Sequence, residues 1–204
     1  MSLEASRVTF GYGGRKKQMI LQDISLSLSP GERLGLKAPS GRGKTTLCRL
    51  LAGYEKPLSG QVLLDGMPLY KWRGACPVQM IWQHPETAVD PLLRLGDTLR
   101  EAGPIDSKIL ERLHIEKAWM DRYPSELSGG ELQRFCLARA LQPTTEYLLC
   151  DEITAMLDLV TQAQIWNFLL QTAEERGLGL LIVSHSDALL ERVCTRVEEL
   201  PEGM

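Results

Sequence analysis

The sequence predicts an α/β fold in which a mostly parallel sheet is covered by helices on both faces and interrupted by a helical insertion. Three observations predict it. Short apolar strands alternate with helical patterns along most of the chain. A glycine-rich loop joins a strand to a helix within residues 33–52, and the stretch from Pro85 to about Leu141 carries helical patterns without a convincing strand. With 204 residues and 44% hydrophobic content, the chain suffices for one domain holding a subdomain.

Residues 3–10 and 19–28 read as strands, the second alternating polar and apolar over Asp23 to Leu28. The basic run Arg15, Lys16, Lys17 follows Gly13 and Gly14 and reads as a solvated turn. Ser29-Pro30-Gly31 turns the chain into a short strand, Arg33 to Lys37. A helix over Thr45 to Ala52 then stops near Gly53. Gln61 to Leu64 and Val78 to Trp82 are further strands, separated by Gly66, Pro68, Gly74 and Pro77. The patterns LGDTLREAG and SKILERLHIEKAW predict helices in the insertion. Strands return at Tyr147 to Cys150 and Leu178 to Val183, with a long helix over Val160 to Glu175 between them.

The stretch GLKAPSGRGKTTL, Gly35 to Leu47, carries the chemistry of a phosphate-binding loop, the device of P-loop NTPases. Closely spaced backbone N–H groups at a helix N-terminus surround phosphate oxygens, and the helix dipole adds about half a positive charge. Gly41 and Gly43 let the backbone come close, Lys44 supplies charge, and the Thr45 hydroxyl is placed to ligate Mg2+. Pro39, Ser40, Arg42 and Thr46 complete the nucleotide-binding loop. The pattern asks for glycine where this chain has Ala38, but Pro39 pushes the preceding residue to extended backbone with negative φ, where alanine is comfortable. A positive φ at Ala38 would overturn that reading.

Tyr147 to Glu152 is an apolar strand ending in two carboxylates. In a parallel sheet it brings Asp151 beside the loop to support Mg2+, with Glu152 toward the γ-phosphate, able to polarise an attacking water. SELSGGELQRFCLARAL, Ser125 to Leu141, holds a second anion device, because Ser128, Gly129 and Gly130 lead directly into a helix. One nucleotide does not need two such devices.

On these motifs the sequence resembles the ATP-binding subunit of an ABC transporter, in which the LSGGQ signature of one subunit closes over ATP held by another. Here the signature is LSGGE, Leu127 to Glu131. The resemblance covers nearly the whole chain and implies an ABC ATPase fold of one domain, 1–204. It would have an N-terminal antiparallel β subdomain and an inserted helical subdomain at 84–141 that carries the signature. By the same resemblance Tyr12 stacks on adenine and Gln83 senses Mg2+ and the membrane partner. His185 contacts the γ-phosphate and Asp158 closes the D-loop. Catalysis then falls to Glu152, His185 and Gln83; metal binding falls to Thr45, Gln83 and Asp151; Ser128, Gly129, Gly130 and Glu131 close on ATP. The departures are Ala38, Arg42 in place of a small residue, Ile153 in place of proline, and AMLD in place of SALD. WQHPETAVDPLLRLGDTL and YPSELSGGELQR look most like the oligopeptide, dipeptide and nickel importer branch, although His84 replaces an aspartate. That branch usually carries a longer C-terminal extension, and this sequence runs to Met204.

The implied function is an ATPase that powers an importer of peptides, nickel or a related small solute. Its partners would be a second ATP-binding subunit, identical or paralogous and arranged head to tail, the transmembrane permease subunits and, indirectly, a solute-binding protein. A net charge of -3 gives no electrostatic reason to expect nucleic acid. Five cysteines without CxxC spacing fit a reducing cytoplasm, and no window has the apolar length to span a bilayer. The expected place is therefore the cytoplasm, peripheral on the inner face of the membrane. Two other readings stay open: a soluble ABC-type ATPase, and a module that closes on ATP without hydrolysing it.

Overall fold

The computed structural model describes residues 2–13 and 18–200, so the Arg15 to Lys17 turn lies outside the described residues. The chain runs β1 (Leu3–Tyr12), β2 (Gln18–Leu28), β3 (Arg33–Lys37), α1 (Lys44–Leu51), β4 (Ser59–Leu64), β5 (Met67–Pro68) and β6 (Val78–Ile81). It continues through α2 (Leu95–Ala102), α3 (Ser107–Arg112), α4 (Gly129–Ala140), β7 (Tyr147–Asp151), α5 (Leu159–Arg176), β8 (Gly179–Val183), α6 (Asp187–Val193) and β9 (Arg196–Glu199).

Two sheets result. The first is antiparallel, ordered β2-β1-β4-β5, with Leu3 opposite Leu28 on one side and Leu64 on the other. The second is ordered β6-β7-β8-β3-β9 with every pairing parallel. Its central strands YLLCD and GLLIV are buried throughout, which explains their continuous apolar runs. Alternate residues serve different layers. Leu148, Cys150, Leu180 and Ile182 face the helical side, packing with Phe135, Leu137, Ile165 and Leu169. Tyr147, Leu149, Leu181 and Val183 face α1 and the antiparallel sheet, joining Leu47, Leu50, Leu3 and Leu28. The helix that begins at the phosphate loop is thus clamped between the two sheets.

Between β6 and β7 the chain is helical. The SKILERLHIEKAW pattern, expected as helix, divides: α3 ends at Arg112, His114 takes φ 52°, and a separate 3-10 turn forms at Lys117–Asp121. The longer helices have clear boundary chemistry. At the start of α5 the Asp158 carboxylate accepts from the N–H groups of Val160 and Thr161, both at 3.0 Å. At its end Gly177 turns to φ 66°.

The centre of the parallel sheet leaves no room at Gly179, where an added Cβ would lie 2.6 Å from the Tyr147 ring and 2.9 Å from the Ser29 carbonyl oxygen. Gly179→Ala should lower stability by about 1–3 kcal/mol, read from the urea midpoint. The neighbouring Tyr147 hydroxyl is buried without a hydrogen-bond partner among the described residues. Tyr147→Phe should therefore leave the midpoint unchanged or raise it, because no hydrogen bond is lost.

Candidate functional site

Because the second sheet is parallel, the C-terminal ends of β3, β6, β7 and β8 share one edge, where open α/β sheets bind ligands. The phosphate loop leaves β3 there. Gln83 follows β6, Asp151 and Glu152 end β7, and His185 follows β8. Ser40, Gly41, Gly43, Lys44, Thr45, Thr46, Gln83, Glu152 and His185 line one cleft of about 380 Å³, with Ile20 of β2 as a further wall. Sequence reasoning missed Ile20, whose place depends on how the antiparallel sheet packs.

The loop is already shaped. Gly41 and Gly43 have φ of 77° and 90°, and at Gly43 an added Cβ would approach Leu21 and Ile20 to within 2.9 Å. Ala38 is not among the non-glycine residues with positive φ, as Pro39 leads one to expect. The Lys44 ammonium is buried and donates to the Ala38 and Pro39 carbonyl oxygens at 2.6 and 3.2 Å. These bonds hold the loop in its curve around the charge. Arg42 is half-buried, and its N–H reaches the Pro39 carbonyl oxygen at 3.4 Å.

Glu152 is the meeting point of the cleft. Its backbone takes φ 51°, an unusual conformation for a glutamate, and its N–H donates to the Val183 carbonyl oxygen at 3.1 Å. The carboxylate then faces two neighbours. His185 Nε2 lies 2.9 Å from Oε1, and Gln83 Nε2 donates to Oε2 at 3.4 Å. Three strand ends thereby present one hydrogen-bonded cluster beside the phosphate loop. Ile153, which stands where proline is usual, is buried in the helical-side core.

Asp151 lies beneath this cluster, 3% exposed. Burial pushes its carboxyl above the usual range; the Thr45 hydroxyl hydrogen bond and the charges of Lys44 and Arg49 pull it down, while Glu152 pushes it up. Thr45, Asp151 and Gln83 offer an oxygen-rich set suited to a hard divalent ion such as Mg2+. Among the described residues no cluster of three His, Cys, Asp or Glu side chains could hold a metal by itself.

The second anion device stands apart. Ser128, Gly129, Gly130, Glu131 and Asp158 line a separate cleft of about 480 Å³, which Gln83 also borders. Ser128 caps α4: its hydroxyl accepts from the Glu131 N–H at 3.4 Å, and the Glu131 carboxylate accepts from the Ser128 N–H at 2.7 Å. Hydrogen bonding from the Ser128 hydroxyl, followed by that from the Ser128 N–H, holds the Glu131 carboxyl below its usual range. Tyr12 joins neither cleft lining. It lies at the end of β1, 39% exposed, edge-on to Phe10 with ring centroids 4.9 Å apart.

A family model described as ABC transporter matches residues 21–155. The nickel import system ATP-binding protein NikE of Staphylococcus aureus (strain bovine RF122 / ET3-1) is 34% identical, covering 99% of this chain and 88% of that protein. The chain belongs to the ABC transporter family. NikE of Escherichia coli (strain K12) is 35% identical, over 95% of this chain and 79% of its own length. In fold, the chain matches the dimeric ATP-binding cassette MJ0796, solved in a post-hydrolysis state bound to ADP and Pi. The TM-score is 0.84 and the identity 25%, over 98% of this chain and 95% of that one. As an ABC cassette the chain is an ATP-binding ATPase. Among the described residues no helix is long and apolar enough to cross a membrane.

The buried Asp151 of this ABC cassette yields a prediction with a definite sign. A carboxyl whose folded pKa is raised binds its proton more tightly in the native state. Its ionisation therefore weakens the fold as pH rises from its unfolded pKa through the folded one, and the penalty persists at neutral pH. Asp151→Asn should raise the urea midpoint of the nucleotide-free protein at pH 7, with the gain vanishing at acid pH, while ATPase activity is lost.

Proposed function

We propose that the chain is the ATP-hydrolysing subunit of a nickel importer, working as a head-to-tail pair on the cytoplasmic face of the membrane. The convergence of Gln83, Glu152 and His185 beside the phosphate loop is the observation that carries the ATPase mechanism. The pairing follows from the two anion devices, which line separate clefts of one chain, so that a phosphate held by the first leaves the second available to another chain. The NikE relatives support nickel as cargo, and the remaining partners would be permease subunits and, indirectly, a solute-binding protein.

In this reading the loop N–H groups and Lys44 hold the phosphates, Tyr12 stacks on the base, and Thr45, Asp151 and Gln83 hold Mg2+. The bound ion supplies charge neutralisation at the phosphate oxygens. Glu152 orients a water and accepts its proton as the water oxygen bonds to the γ-phosphorus. The bond from that phosphorus to the bridging oxygen breaks, and ADP leaves with the electron pair. His185, held against the Glu152 carboxylate through Nε2, contacts the γ-phosphate, while Ser128, Gly129 and Gly130 of the second subunit close the site. Departure of phosphate removes the link between the subunits.

Glu152→Gln should keep ATP affinity and lower turnover by about 10²–10⁴-fold. It should also give an ATP-dependent dimer that persists in size-exclusion chromatography. Turnover near the parental rate would remove Glu152 from its role. Deleting the chain from its native cell should abolish uptake of radiolabelled nickel. If nickel uptake persisted while dipeptide uptake was lost, the cargo would be reassigned to peptides.

A further inference from the structure

Arg49 stands one helical turn beyond Thr45 on α1, on the same face of the helix. Two groups meet its guanidinium. Nη1 donates to the Tyr12 hydroxyl at 3.4 Å, and Cζ lies 5.0 Å from the centroid of the Trp82 ring. Its charge also acts on the Asp151 carboxyl. The Nε atom is buried with no hydrogen-bond partner among the described residues. Such an incompletely satisfied donor has something to gain from a change in its surroundings.

Trp82 in turn immediately precedes Gln83. Its carbonyl oxygen accepts from Gln133 Nε2 of α4 at 3.4 Å, and its ring meets Tyr54 with centroids 5.3 Å apart at 60°. The Gln133 side chain is 1% exposed, and its own Oε1 has no partner among the described residues. The residue that carries Gln83 is therefore gripped from both sides, by Arg49 from the phosphate-loop helix and by Gln133 from the signature helix. Polar capacity is left unused in each grip.

We infer that Arg49 is a positioning residue that conveys nucleotide occupancy to Gln83 through the ring of Trp82. The inference rests on the nucleotide site proposed above. Nucleotide bound there changes two of the three influences on Arg49. A cation at Asp151 cancels the field of that carboxylate, and a base on Tyr12 alters the surroundings of the hydroxyl that Arg49 bonds. The balance shifts at the contact with the Trp82 ring, whose backbone continues into Gln83. A ligand moves such an equilibrium through its unequal interaction with the two arrangements, and Arg49 is where both ends of the nucleotide would act unequally.

The test uses the full chain and Trp82 fluorescence, with Trp82→Phe identifying its share of the emission among the four tryptophans. MgATP should change Trp82 emission in the parent protein. Arg49→Met should abolish that response and lower kcat about tenfold while KM for ATP stays within about threefold, with Arg49→Lys recovering part of both. Tyr12→Phe keeps the ring, removes only the hydroxyl, and should weaken the response even if Arg49→Met does not fold. An undiminished Trp82 response in Arg49→Met or, where that variant does not fold, in Tyr12→Phe overturns the inference. So does a loss of thermal stability that accounts for the whole kinetic change and is not relieved by lysine. Failure of the parent protein to bind MgATP would instead overturn the proposed function.

Discussion

The parallel pairing of β6, β7, β8 and β3 is the constraint on which the candidate site depends. It brings four strand ends, far apart in sequence, to one edge of the sheet, and each end delivers a different chemical part. Glu152 shows how tightly this is fixed. Its carboxylate reaches both Gln83 and His185 because its backbone turns into the left-handed region and its N–H is held by Val183 on the next strand. A shift of one residue in the β7–β8 register would reverse the alternation of side chains between the two core layers and move that anchor. The core and the site therefore share one register.

Burial and charge divide the labour among the acidic groups. Asp151 is sealed under the loop, where desolvation makes its ionised form costly until a cation arrives. Glu152 stands nearer the cleft, in contact with groups able to orient it. Lys44, buried and turned onto loop carbonyl oxygens, braces the curve of the loop. The geometry for binding is thus largely preorganised, which reduces the ordering that a nucleotide must impose.

Much of this was legible in the sequence because its signals are local. The continuous apolar runs of β7 and β8, the strand-loop-helix around Lys44 and the entry of Ser128, Gly129 and Gly130 into a helix each follow from neighbouring residues. The pairing of Pro39 with Ala38 was legible for the same reason. Less legible were the edge strands. β5 has two residues, and β9 reads as the charged RVEE, with no apolar run to mark it. The break at His114 was also hidden, since a helical pattern does not reveal a single residue with positive φ. The contacts of Arg49, Trp82 and Gln133 join three elements far apart in sequence. No local periodicity encodes such a meeting, and only the packing discloses it.

The reciprocal cap at the start of α4 has one more consequence. Glu131 keeps the Ser128 turn wound tightly before any anion approaches, yet it does so by stationing a negative charge beside the N–H groups that would receive one. A neutral glutamine would hold the same turn without that repulsion. In the proposed head-to-tail pair, one carboxylate would thus temper the grip of the second anion device on phosphate and ease its release.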